Sequence, residues 1–206
     1  MKMTNRWNTR IYHVWAPLYD RALPRFFRPG REAAMRLLAP AAGEYVLIPG
    51  VGTGADVPLL PAGVDVTGID LSADMLAKAR EKVLGCRARV TLVEGDVQTL
   101  LVPEESFDAA LLNLILSVVP DAHACLAATL RAVKPGGRVV VFDKFQPDGE
   151  RLSPGRRIMN LFTTAMGTDI TRRFGEIAAG CPCTVEIDEP SLLNGMYRVM
   201  RLRKTA

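Results

Sequence analysis

The sequence predicts an α/β fold, a mostly parallel sheet with helices on both faces. Three observations point there. Short apolar runs alternate with stretches of helical periodicity, the pattern of strand–helix–strand units. The first apolar run, Tyr45 to Ile48, leads straight into a turn with glycine at every second position, Gly50-Val51-Gly52-Thr53-Gly54. A later run, Phe107 to Leu114, is almost wholly apolar, as a central parallel strand covered on both sides must be.

The elements follow in order. Arg6 to Phe27 reads as helical, interrupted at Pro17 and Pro24, with an apolar stripe of Trp7, Ile11, Val14, Trp15 and Leu18. A second helix is expected from Gly30 to Leu38. Strands are expected over 45–48, 64–69, 89–93, 107–114 and 138–142. Ser72 reads as the N-cap of a helix over 73–83, because its hydroxyl can accept from a free first-turn amide. A helix over 121–133 is stopped by Lys134-Pro135-Gly136-Gly137. One or two helices are expected within 156–179. Thr184 to Ile187 and Tyr197 to Leu202 read as closing strands that pair antiparallel at the sheet edge.

Composition narrows the class. The chain has 206 residues, 49% hydrophobic and 23% charged, enough for one α/β domain and too few for two. No run is long and apolar enough to span a bilayer, and the first residues lack the apolar core of a secretory signal, so a cytoplasmic protein is expected. The four cysteines do not form two pairs at zinc-site spacing, and no metal is expected. Net charge is +4, with the excess in Arg151 to Arg173 and Arg198 to Lys204. Such a bias suits an anionic lipid surface or substrate as well as a plain solvated face. Few aromatics are present for base stacking, so no nucleic-acid partner is expected.

The chemistry gathers at three strand tips. Gly50, Gly52 and Gly54 let a ligand approach the main chain at the carboxyl edge of the sheet. Asp70 closes the second strand, where a carboxylate can accept both hydroxyls of an adenosine ribose. Asp96 closes the third strand and can accept from an adenine amino group while the Val97 amide donates to a ring nitrogen. Leu71 and Met75 can sandwich the base. Each also has a plainer reading: a loop, a helix-capping acid, a core methionine. In chain order at three consecutive tips, they define an adenosine pocket.

With these residues in view, the chain resembles the class I S-adenosylmethionine (SAM) dependent methyltransferases. The matching stretches are VLIPGVGTG, VTGIDLSADMLAKAR, EGDVQTL, FDAALLNLILSVVPD and KPGGRVVVFDKF. The resemblance implies a Rossmann-like seven-stranded sheet whose last strand is antiparallel, with SAM as cofactor. It places Gly50 to Gly54 against the methionine part, Asp70 on the ribose, and Asp96 and Val97 on the adenine. It sets Asn113 near the methionine amino group. The turn departs from the dinucleotide pattern G-x-G-x-x-G, which disfavours a nicotinamide oxidoreductase. One departure from the family stands out. Relatives commonly carry an acidic residue two positions before the first glycine, and this chain has Ile48 there, followed by Pro49. A lapsed, non-catalytic member with this fold is the alternative reading.

Within the family, Tyr19-Asp20, VGTG, GIDLSADML and LSVVPD resemble small bacterial phospholipid N-methyltransferases and quinone-biosynthesis methyltransferases. That implies a single domain: a helical lid over 1–40, a cofactor-binding core over 41–145, and substrate-side helices with closing strands over 146–206. The acceptor is then a small molecule or a lipid head group. Tyr19 is the expected lid residue, and His13 the candidate base for an acceptor that must lose a proton. His123 reads as structural. Asp143 or Lys144, after the fifth strand, is expected at the acceptor, and Arg156 and Arg157 suit a substrate phosphate or carboxylate. The N-terminal stripe, with Arg6 and Arg10 elsewhere on the helix, fits either a lid on its own domain or peripheral contact with the inner membrane surface.

Overall fold

The computed structural model describes residues 23–146 and 171–206. Helix α1 (Leu23–Leu38) precedes strand β1 (Tyr45–Pro49). The glycine turn and a short 3-10 turn (Val57–Leu59) lead to β2 (Asp65–Asp70), α2 (Ala73–Val83) and β3 (Arg89–Glu94). Then come β4 (Phe107–Asn113), α3 (Ala122–Ala132) and β5 (Val133–Lys144). The chain closes with α4 (Phe174–Ala178), β6 (Cys183–Pro190) and β7 (Tyr197–Lys204).

All strands join one seven-stranded sheet in the order β3-β2-β1-β4-β5-β7-β6. The pairs β1–β2, β1–β4, β2–β3 and β4–β5 are parallel, and β7 runs antiparallel to both β5 and β6. Strand order reverses between β1 and β4. In an open α/β sheet that switch point opens a crevice at the carboxyl ends of the strands, and the glycine turn and Asn113 stand on its two sides.

Alternation along the central strands builds a core on each face. Val46, Ile48, Leu111, Val140 and Phe142 face one side with Ala34, Leu38 and Leu76 of α1 and α2. Leu47, Leu112, Val139 and Val141 face the other with Leu126 and Leu130 of α3, and Phe174 and Ile177 of α4. Each large side chain buried this way contributes about 1.5–3 kcal/mol against leaving it in water.

Two element boundaries differ from the sequence reading, each for a local reason. Helix α1 starts before Gly30 and runs through Pro29. Proline removes one helical hydrogen bond, from the carbonyl of Arg25, and Arg25 is exposed, so water can replace the lost donor. Gly30 is not a helix start but a contact: a Cβ there would lie 2.2 Å from the Phe142 ring. Strand β5 begins at Val133, where Lys134 to Gly137 was expected to be a loop. Val133 pairs with Phe107, and the register shifts before Arg138 pairs with Ala109. Gly136 (φ 72°) accommodates the bulge.

The arginines of β7 are not an open patch. Arg198 pairs with Asp188, and Arg201 and Arg203 both reach Glu186, so β7 cations meet β6 acids across the edge of the sheet. Among the described residues, no helix is long and apolar enough to cross a membrane.

Candidate active site

The site is built from the β1 tip outward. The amides of Gly50 and Val51 donate to the carbonyl of Ile69 at 2.7 and 3.0 Å, so the turn continues the β1–β2 ladder past the end of the strand. Gly50, Gly52 and Gly54 all have positive φ, at 70°, 55° and 70°. Their surroundings separate their tasks. A Cβ on Gly54 would meet Ala79 at 3.1 Å, so this glycine lets the turn pack on α2. A Cβ on Gly50 would strike Ile115 at 2.5 Å. On Gly52 it would meet nothing nearer than the Gly50 carbonyl at 4.0 Å. Gly52 therefore borders open space.

Asp70 meets that turn. Its Oδ2 accepts from the Gly52 amide at 2.8 Å and its Oδ1 from the Ser72 amide at 3.0 Å. Burial pushes its carboxyl above the ordinary range, against the lowering effect of these backbone donors. Ser72 caps α2 by accepting from the Met75 amide, as its position after the strand predicts. Leu71 is 43% exposed and Met75 half-buried, so neither is shut away in the core.

Asp96 lies on the same edge, because β3 pairs in register with β2 (Asp70 opposite Glu94) and the Gly95 amide donates to the Asp70 carbonyl. Its Oδ1 accepts from the backbone and side-chain nitrogens of Gln98 at 2.9 and 3.0 Å. The Gln98 carbonyl in turn accepts from the Asp121 amide at 2.8 Å, tying the β3 tip to the start of α3. Val97 is buried in the core with Leu100. Asp70, Asp96 and the glycine turn are thus brought together at one edge.

Asn113 ends β4 and is 5% exposed. Its Nδ2 donates to Oδ1 of Asp56 at 2.7 Å, and Oδ2 of Asp56 takes Nη1 of Arg31 at 2.6 Å. Its Oδ1 is buried and has no hydrogen-bond partner among the described residues. The next residue, Leu114, has φ 60°, a conformation a bulky side chain rarely adopts and one that gathers at binding and active sites. Sequence reasoning did not single out Arg31, Asp56 or Gln98. A signal existed for Asp56, an acid just past the glycine turn and ahead of the apolar run Val57 to Leu60.

Asp143 differs from expectation. It was placed at the methyl acceptor, but it is fully buried. Its Oδ2 accepts from the Ser117 amide at 2.9 Å and its Oδ1 from the Lys144 amide at 2.8 Å. Burial raises its carboxyl above the usual range. It fastens the loop after β4 to the end of β5 and has no open surface to offer an acceptor. Arg172 braces the same loop by donating to the carbonyls of Leu116 and Val119. His123 donates from Nδ1 to the Ile177 carbonyl at 2.9 Å, a contact between α3 and α4 that suits its structural reading. An open groove of about 320 Å³ lies beside it, lined by Pro120, Asp121, His123, Arg172, Arg173 and Glu176. Tyr19, His13, Arg156 and Arg157 lie outside the described residues, as do positions 1–22 of the expected lid, whereas its later part, α1, packs into the core.

Comparison with known proteins identifies the family. The family model described as a methyltransferase domain matches residues 47–141. Over 199 residues the chain is 31% identical to the phosphatidylethanolamine N-methyltransferase of Cereibacter sphaeroides, spanning 95% of this chain and 97% of that one. The chain belongs to the methyltransferases that use S-adenosylmethionine. It is also 34% identical over 152 residues to the ubiquinone/menaquinone biosynthesis C-methyltransferase of Syntrophotalea carbinolica, covering 66% of this chain and 64% of that enzyme. Among solved structures, the geranyl diphosphate C-methyltransferase of Streptomyces coelicolor superposes with TM-score 0.66 at 16% identity, over 85% of this chain and 76% of that one. That likeness is one of fold.

Two features of this methyltransferase's edge fit its cofactor. The space beside Gly52 is open where the backbone must be approached closely. The Asn113 carbonyl is a buried acceptor with no donor among the described residues, and buried acceptors ordinarily find one.

Proposed function

We propose that this methyltransferase methylates the amino group of a phospholipid head group of the ethanolamine type. The observation that carries the reading is the full-length match to a phosphatidylethanolamine N-methyltransferase, which spans 97% of that enzyme, where the quinone C-methyltransferase match spans 64% of its relative. The coarser activity, transfer of a methyl group to a small molecule or lipid, does not depend on this choice.

In this reading the three tips grip adenosine. Asp70 accepts from the ribose, Asp96 and the Val97 amide take the adenine edge, and Leu71 and Met75 flank the base. Gly50, Gly52 and Gly54 run along the methionine part, and the Asn113 carbonyl accepts from its ammonium. When bound, SAM supplies an electrophilic methyl group on a sulfonium sulfur. An amine acceptor needs only to be near, aligned and unprotonated, so positioning carries much of the rate. Of the segment 1–40, the part ahead of α1 serves as the lid, with 41–145 as the cofactor core and 146–206 as the substrate side of one domain. Tyr19 closes over the cofactor as the lid residue, and His13 takes a proton where one must leave. The amphipathic N-terminal stripe rests on the lipid surface when the lid opens.

The test uses the purified full-length protein with methyl-labelled SAM and vesicles containing phosphatidylethanolamine. Label in the mono-, di- or trimethylated lipid supports the reading. Label only in a demethylmenaquinone offered in parallel moves the acceptor to a quinone. Label in neither, with SAM bound, sends the search to other small-molecule acceptors.

A further inference from the structure

The glycine turn lacks the acidic residue that a cationic ammonium would favour: position 48 is isoleucine, 1% exposed and packed in the core. A different carboxylate lies close by in the fold. Asp56 follows the turn, is 2% exposed, and touches both α1 and the end of β4. We propose that Arg31 and Asp56 are positioning residues that hold the Asn113 amide in one orientation, with its oxygen set as the acceptor for the methionyl ammonium in place of the absent acid at Ile48. This rests on the reading that the edge binds SAM.

The argument is one of donors and acceptors. An asparagine amide can be turned either way about its last bond, and its partners decide which way it lies. Asp56 offers only acceptors to Asn113, while the donors of Arg31 occupy its other oxygen at 2.6 Å. The amide nitrogen must therefore face Asp56, at 2.7 Å. The oxygen then faces away from it, and there it is buried with no donor among the described residues. A flipped amide would set oxygen against oxygen. Leu114 in its left-handed conformation, with its amide donating to the Phe142 carbonyl at 2.7 Å, fixes the backbone on the other side of Asn113. A cationic donor is the partner such an oxygen suits best, because a hydrogen bond from a charged group is stronger than one from a neutral group.

The probes are S-adenosylhomocysteine and its deamino analogue, which keeps adenosine, thioether and carboxylate and lacks only the amino group. Calorimetry on the full-length protein measures both affinities. The wild type should prefer the amino compound by about tenfold or more. Asp56→Asn frees the amide to turn, and Asn113→Leu removes the acceptor. In either variant the preference should fall to about threefold or less, with the deamino analogue binding about as before. A role in folding alone would weaken both compounds together and leave their ratio unchanged. Should Asp56→Asn melt below the assay temperature, Asn113→Leu carries the test. A wild-type ratio near one, or a ratio that survives Asn113→Leu, overturns the relay while leaving the cofactor reading intact. Failure of the wild type to bind either compound overturns the cofactor reading itself.

Discussion

The backbone amide of Gly52 donates to the carboxylate of Asp70 at 2.8 Å, joining the glycine turn of β1 to the tip of β2. One carboxylate therefore braces the turn, and in the proposed reading it also accepts from the ribose. Removing it should be felt as a loss of shape as well as of a contact.

Asp70→Ala should weaken SAM binding by about thirtyfold or more, the scale of losing a charge-assisted hydrogen bond of ~2 kcal/mol. Its melting temperature should also fall, because the Gly52 and Ser72 amides lose the acceptor that braces the turn. Calorimetry with SAM and a melting curve on the same sample check both halves. Unchanged affinity would remove Asp70 from the site.

Gly52 and Gly54 should separate binding from folding. Gly52→Ala adds a methyl group to open space, so the fold loses only about 1 kcal/mol for the left-handed backbone, while SAM affinity drops. Gly54→Ala pushes a methyl group against Ala79 of α2 and adds the same backbone cost, so it should lower the melting temperature further. Melting and binding curves for the two variants should rank in opposite orders.

Gly30→Ala should destabilise the protein by about 2–3 kcal/mol, through overpacking against a ring that has no room to move. Phe142→Leu shortens the obstacle, so the double variant should be more stable than the sum of the two single changes implies. Denaturant midpoints for the full cycle measure the coupling. Simple additivity would show that α1 and β5 do not meet at this point.

Glu44 accepts from Arg138, which also reaches the carbonyls of Leu38 and Ala39, so one cluster joins the end of α1, the approach to β1 and strand β5. The Arg138 guanidinium, first among the causes, holds the Glu44 carboxyl below its ordinary 4.5. A depressed acid stabilises the fold above its unfolded value and loses that contribution as pH falls through its folded value. Glu44→Gln should therefore cost about 1 kcal/mol at pH 7, discounted for its partial exposure, or roughly two to four degrees of melting temperature for a chain of this size. The gap should close as pH falls below 4.5. A gap that stays constant down to low pH would assign the effect to packing.

Much of the cofactor edge was legible because its residues fall at strand ends in chain order. A strand tip can be read from where an apolar run stops, and parallel neighbours carry their tips to the same side. Asp70, Asp96 and the glycines needed no knowledge of distant contacts. Asp56, Gln98 and Arg31 were not legible in the same way. Each acts across a gap: Arg31 lies 25 residues from Asp56, and Asp56 lies 57 residues from Asn113. Asp143 was misplaced for a related reason. Its position at the end of β5 marks the functional edge, but the Ser117 amide of the loop after β4 and the Lys144 amide hold its carboxylate inside the protein.

The sequence by itself determined the α/β class, the strand that carries the glycine turn, and the acids at the next two tips, since hydrophobic period and turn chemistry act over a few residues. Only the tertiary structure decided which carboxylates face the crevice and which hold the frame. That choice rests on donors brought in from other elements, and burial makes every such group costly unless its partner arrives.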